Sequence, residues 1–241
     1  MKKRKSLGQH FLKNAFYLNA VADAAEIKKG ETVVEIGPGD GALTEVLIAR
    51  GAKVTAIEKD ARLIAPLRER FAGKNFKVIE ANALDYNLKH KIYKLVGNIP
   101  YYITGALLKK FLSTKKQPSL LVFLMQKEVA ERIAKDTKES ILSLSVKTYG
   151  EPKIIKAVPR GAFSPSPKVD SAILQIKNIS RRKFSSAAHE KKFFELLRAG
   201  FGQKRKLLKN NVQASLGAAG IQESARAEDV PLEKWLKLAK Y

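Results

Sequence analysis

Two spacings of apolar residues alternate along the first half of the chain. Short, nearly continuous apolar runs occur in "ETVVEIG" (31–37), "AKVTAIEKD" (52–60), "NFKVIEANALDY" (75–86), "YKLVGNIPYY" (93–102) and "SLLVFLMQ" (119–126). Their length and β-branched content read as buried strands. Between them, "NAFYLNAVADAAEI" (14–27), "GALTEVLIAR" (41–50), "ARLIAPLRERF" (61–71) and "GALLKKFL" (105–112) carry the three-to-four spacing of helices, with Asn14 as N-cap of the first. Strand and helix in alternation predict an α/β fold with a parallel, doubly wound, Rossmann-like sheet. After residue 151 the rhythm changes. "PKIIKAVP" and "DSAILQIK" predict two strands joined by the proline-rich "GAFSPSPKV", a hairpin closing the sheet edge. "NISRRKFSSAA" reads as a linker and the remainder as helical. The division expected is therefore 1–178 for the α/β domain and 179–241 for a small helical domain.

The pattern places four polar or glycine positions just beyond strand C-termini, where open α/β sheets bind ligands. Gly37, Gly39 and Gly41 lie between the first strand and its helix, as a close backbone approach to a ligand at a helix N-terminus requires. Glu58 ends the next strand, at the spacing of a carboxylate that accepts from both hydroxyls of an adenosine ribose. Up to this point a nicotinamide cofactor and S-adenosylmethionine fit equally. Asn82 follows the third strand, where it can meet an adenine edge or simply form a turn. Asn98 ends the fourth strand and is followed by Ile99, Pro100 and Tyr101.

That last quartet suits methyl transfer to the exocyclic amine of adenine. The amine's lone pair is delocalised into the ring, and acceptors on its hydrogens make the nitrogen more nucleophilic. The side-chain oxygen of Asn98 and the carbonyl of Ile99 are two such acceptors. Pro100 biases Ile99 toward an extended conformation, and Tyr101 offers a face for an extruded base. A neutral amide suffices, because the amine becomes acidic once alkylated.

Charge adds a partner. The 241 residues hold 46 Lys and Arg against 23 Asp and Glu, a formal net charge of +23. This excess points to nucleic acid ahead of an acidic membrane or a merely solubilising surface. The first 13 residues carry five basic residues and no acid and read as a basic arm. No apolar run is long enough to span a bilayer, and no signal core follows the arm, so a cytoplasmic protein without a membrane partner is expected. Cysteine is absent, and His10, His90 and His189 are far apart, so no metal is expected. Arg205, Lys206 and Lys209 are expected on one side of a C-terminal helix, with Leu208 and Val212 turned the other way, forming an RNA-phosphate face.

Taken in order, "SLGQHFL", "VVEIGPGDGALTEVL", "AIEKD", "VGNIPYYIT", "FLMQKEVAERI" and "FSPSPKVDSAI" resemble the rRNA adenine dimethyltransferase family. "FGQKRKLLKNNV" resembles its small-subunit (KsgA-type) branch more than the Erm branch that modifies large-subunit rRNA. The resemblance implies a class I S-adenosylmethionine-dependent methyltransferase. It also implies dimethylation of two adjacent adenines near the 3′ end of small-subunit rRNA, on an immature subunit, by a monomer. It implies roles residue by residue. His10, Leu12, Gly37, Gly39, Glu58, Asn82 and Asn98 would contact the cofactor. Asn98, Ile99, Pro100 and Tyr101 would hold the target adenine, with Phe163 covering its other face. At positions 82 and 10, where the family usually has Asp and often has Asn, this chain has Asn82 and His10. Three readings stand beside it: a large-subunit methyltransferase, a non-catalytic RNA-binding assembly factor, and a nicotinamide dehydrogenase, which explains neither "NIPY" nor the charge.

Overall fold

The computed structural model describes residues 10–203 and 205–240. The basic arm falls largely on residues 1–9 and so lies outside the described part. By its internal contacts the chain divides into one unit of residues 1–130 with 152–179, and a second of 131–151 with 180–241. The expected break at 178 is thus one of three; the segment 131–151, assigned from sequence to the first domain, groups with the second unit.

The first unit opens with a two-residue strand, β1 (Phe11–Leu12), and helix α1 (Ala15–Ala24), whose N-cap Asn14 accepts from the Phe16 backbone N–H. There follow β2 (Thr32–Ile36), α2 (Ala42–Ala49), β3 (Lys53–Glu58), α3 (Ala61–Arg70), β4 (Phe76–Glu80), β5 (Lys94–Asn98), α4 (Thr104–Ser113) and β6 (Leu120–Gln126). Next in the chain come helix α5 (Lys127–Ala134), across the first break, and helix α6 (Ile141–Lys147) of the second unit, neither of them placed by the apolar pattern; the first unit then resumes. Then come β7 (Glu151–Val158), β8 (Phe163–Ser164) and β9 (Ser171–Lys177).

Seven strands form one sheet in the order β4-β3-β2-β5-β6-β9-β7. β4, β3, β2, β5 and β6 run parallel, and β9 enters antiparallel beside β6 with Leu124 opposite Ile173. The order reverses between β2 and β5, which opens a crevice at their C-terminal ends. Gly97 permits the close pairing there: a Cβ on it would stand 2.9 Å from the Ile36 carbonyl oxygen, which the ladder holds in place. Strand interiors such as Val33, Val34, Leu95, Val122 and Leu124 are fully buried, as helices on both sheet faces demand. The proline-rich loop contributes a feature the pattern does not show. Its strand β8 pairs with β1, Leu12 opposite Phe163, in a separate two-stranded ladder.

In the second unit, α6, α7 (Ala187–Gly200) and α8 (Leu232–Leu238) enclose a core of Leu144, Phe193, Leu197, Leu208 and Trp235. Ser140 and Ser143 form a reciprocal capping box at α6, and Ser186 caps α7. The helix expected through "FGQKRKLLKNNV" does not form. α7 ends at Gly200, where a Cβ would meet the Trp235 ring at 2.5 Å. The Asn211 amide donates to the carbonyls of Gly200 (2.9 Å) and Gln203 (3.2 Å), satisfying acceptors a longer helix would have used. The Leu208 N–H goes instead to the Ala225 carbonyl, and beyond α7 the chain makes three short 3₁₀ turns before α8.

Candidate active site

The crevice in the first unit is a cavity walled by the ends of β2, β3, β4 and β5 and by the β1 segment. His10, Leu12, Gly37, Gly39, Glu58, Asn82, Asn98, Ile99, Pro100 and Tyr101 all line it. Strand order therefore brings together every sequence-expected cofactor and base position except Phe163. That ring is buried in the core, 5% exposed, where β8 pairs with β1. It packs in the same core cluster as Leu12, Leu18 and Val21, which do line the cavity.

The glycine loop leaves β2 with its backbone bonded to β3, Gly37 N–H to the Ile57 carbonyl at 2.9 Å. Gly39 has φ +60°, and a Cβ there would come 2.6 Å from the Phe11 ring, so glycine is required twice over. A Cβ on Gly37 would meet nothing closer than the Asn98 carbonyl at 4.0 Å. It would project into the space between loop and β5, which no other atom fills within that distance.

Glu58 is buried, with one carboxylate oxygen accepting from Gly39 N–H (3.2 Å) and the other from Asp60 N–H (2.8 Å). Burial raises its pKa, and these backbone donors oppose the rise. The Lys59 backbone is a further donor to it, so the carboxylate ties the glycine loop to the end of β3 and retains part of its acceptor capacity. Asn82 is spent mostly on its own turn. Its oxygen accepts from Leu84 N–H and its amide donates to Asp85.

Asn98 has a definite orientation. Its amide nitrogen donates to the His10 carbonyl at 2.8 Å, which leaves Oδ1 without a donor among the described residues. The His10 ring is pinned in turn, Nδ1 lying 2.8 Å from the Pro165 carbonyl. That ring lies nearly parallel to Tyr101, with 17° between planes and centroids 6.2 Å apart. The Tyr101 hydroxyl pairs with Ser171 Oγ at 2.8 Å, and burial raises its pKa.

Three participants escaped the sequence reading. Ser171 and Pro165 act at long range and carry no local signal. Glu35 had one: a lone acid inside the apolar run "VVEIG". It is fully buried on the cavity wall, accepts from Thr44 Oγ1 at 2.6 Å, and burial pushes its pKa up to about 8.

Arg205, Lys206 and Lys209 are exposed in the second unit, on the turn after α7 and the following 3₁₀ segment rather than along a helix face; Lys209 stands 3.6 Å from Glu223. Among the described residues no helix is long and apolar enough to cross a membrane, and no three His, Cys, Asp or Glu side chains group as metal ligands.

The sequence profile of the ribosomal RNA adenine dimethylase family matches residues 1–241. A ribosomal RNA small subunit methyltransferase A of Dehalococcoides mccartyi is 43% identical, covering 99% of this chain and 88% of its own. A dimethyladenosine transferase from Plasmodium falciparum superposes with a TM-score of 0.81 at 28% identity, over 95% of this chain and 96% of its own. The 23S rRNA methyltransferase ErmE superposes with a TM-score of 0.77 at 29% identity, over 95% and 98%.

Proposed function

Because the chain belongs to the ribosomal RNA adenine dimethylase family, it is an S-adenosylmethionine-dependent rRNA adenine dimethyltransferase, and we propose that it modifies two adjacent adenines near the 3′ end of small-subunit rRNA. The observation that carries the reading is the amide of Asn98, aimed by the His10 carbonyl so that its oxygen is the free acceptor in the crevice. The 43% identity to a small-subunit enzyme and the C-terminal "FGQKRKLLKNNV" favour that substrate over large-subunit rRNA.

The cavity fits the cofactor: a glycine-walled space beside Asn98 and a buried carboxylate that retains acceptor capacity. Glu58 would accept from the ribose hydroxyls, the backbone of Gly37 and Gly39 would line the approach, and His10, Leu12 and Asn82 would complete the wall. S-adenosylmethionine would supply its sulfonium methyl group: a bond forms from the adenine nitrogen to that carbon, the carbon–sulfur bond breaks with S-adenosylhomocysteine as leaving group, and the amine loses a proton. The chain's part is to present that amine. Asn98 Oδ1 and the Ile99 carbonyl accept from its hydrogens, so its lone pair is freed from the ring. Pro100 holds Ile99 extended, and Tyr101 stacks on the base with its hydroxyl fixed by Ser171. The ring lying nearly parallel to Tyr101 is that of His10. Arg205, Lys206 and Lys209 would contact RNA phosphates.

The test is incubation of immature small subunits with labelled cofactor and mapping of the modified adenines. Dimethylation of an adjacent pair is expected. An unmodified 3′ region, with cofactor binding intact, would instead favour an RNA-binding assembly factor.

A further inference from the structure

Residues 86–126 contain seven lysines and no Asp or Glu. Lys94 is buried and pairs with Glu31, while Lys110, Lys115 and Lys116 border one groove. The loop after β4 runs alongside α4, held there by Lys110, whose ammonium donates to the carbonyls of Leu84 (2.8 Å) and Tyr86 (2.7 Å). Farther on, the Tyr93 hydroxyl donates to the Lys116 carbonyl at 2.9 Å. Loop and helix enclose a groove whose walls include Asn87, Leu88, Lys115 and Lys116.

Lys89, Lys91, Lys109, Lys115 and Lys116 are all exposed and form no ion pair among the described residues. The acids nearest in the chain are Glu80 and Asp85, and Asp85 already accepts from Asn82. The surface also has a direction. Tyr102, at the mouth of the active-site cavity and 67% exposed, shares a face with Ala106, Lys109 and Ser113 at helical spacing. From Tyr102 to Lys109 is about 10 Å along that face at helical rise. Unpaired lysines that begin beside the pocket and continue away from it match a strand leaving the pocket, since mutual repulsion among them falls when phosphates intervene.

We propose that this lysine track between the β4–β5 loop and α4 binds the phosphate backbone of the RNA strand adjoining the target adenine. This rests on the reading of the chain as an rRNA methyltransferase and adds a second RNA contact surface, in a different unit from Arg205, Lys206 and Lys209. Lys110 is excluded from ligand contact, because its ammonium braces the loop.

The experiment replaces Lys89, Lys91, Lys109, Lys115 and Lys116 together with Gln. A control variant replaces five other exposed lysines, Lys28, Lys29, Lys53, Lys74 and Lys77. Binding to a small-subunit rRNA fragment containing the adenine pair is measured across a salt series, and S-adenosylmethionine affinity is measured alongside. Each phosphate that no longer meets a lysine flattens the slope of log affinity against log salt by roughly 0.7–0.9 units. The expected result is a slope shallower by about two units or more for the track variant, with cofactor affinity unchanged and the control near the parent protein. A track-variant slope within about half a unit of the parent, or an equal change in the control, overturns the proposal. Binding is read separately from methylation, so a parent protein that binds RNA but methylates nothing would count against the enzymatic reading and leave the track to be judged on its slope.

Discussion

Glu58 lends both carboxylate oxygens to backbone donors, so its place on the cavity wall is set by folding. Replacing Glu58 with Gln keeps the shape but removes the charge that strengthens hydrogen bonds to hydroxyls, each worth about 1.5–3 kcal/mol. Titration calorimetry should show S-adenosylmethionine affinity reduced by tenfold or more; unchanged affinity would reject the assignment. Asn98→Ala removes the aimed acceptor. A rate loss of about 2–4 kcal/mol in single-turnover methylation is expected, the scale of one preorganised polar group, with RNA affinity little altered. Near-normal turnover would mean that the amide does not hold the amine. Glu35 makes a different prediction. Its pKa is raised on folding to about 8, so the folded protein holds the proton more tightly than the unfolded chain. Stability contributed by that proton is complete below the unfolded value near 4.5 and is lost as pH rises toward about 8, at up to about 1.4 kcal/mol per pH unit. Denaturant melts at pH 5 and pH 8 should therefore show a smaller decline for Glu35→Gln than for the parent; equal declines would show that Glu35 is ionised in the fold. Glu58, also raised, keeps some decline in both.

At the scale of elements, the parallel strands are legible because each is buried on both faces and reads as an apolar run closed by a polar residue. Glu58 and Asn98 could be placed from that closure alone. The β1–β8 ladder is illegible for the opposite reason: two residues on each side, more than 150 positions apart, have no periodicity to read. That the Phe163 ring packs in the core is likewise visible only through the pairing. The C-terminal basic segment misleads in another way. "RKLLKNNV" has helical spacing, but Asn211 caps the preceding helix through its side chain, and local propensity yields to that tertiary bond. The glycine loop supports a sharper test. Gly39→Ala places a methyl group against the Phe11 ring in a conformation with φ +60°. A stability loss of more than about 1 kcal/mol is expected, together with weaker cofactor binding, by thermal melts with and without S-adenosylmethionine. Unimpaired binding would show that the loop's close approach is not used.

For the molecule as a whole, a formal charge of +23 promises RNA affinity wherever its lysines lie, so specificity must come from the pocket and from charge placement. Substituting Arg205, Lys206 and Lys209 with Gln should weaken binding across sequences and flatten the salt dependence by nearly one unit for each phosphate released. An unchanged slope would show a solvated face. Offered immature small subunits and protein-free large-subunit RNA side by side, the enzyme should modify the former; preferential labelling of the latter would move the chain to the other branch and leave the adenine chemistry intact. The composition announces RNA, and the strand ends announce the cofactor. The aiming of Asn98 is legible only in three dimensions, because it depends on the carbonyl of residue 10 and, through the His10 ring, on the carbonyl of residue 165.

That dependence has a consequence in time. Synthesis delivers His10 first, then the glycine loop and Glu58, then Asn98, and only much later the segment with Phe163 and Pro165 that holds the N-terminal strand in place. A contact spanning 155 positions is among the last that a growing chain can close. The ends of β2, β3 and β5 are thus all synthesised well before the contact that fixes the His10 ring beside Asn98 can close, which waits for about two-thirds of the chain to be made.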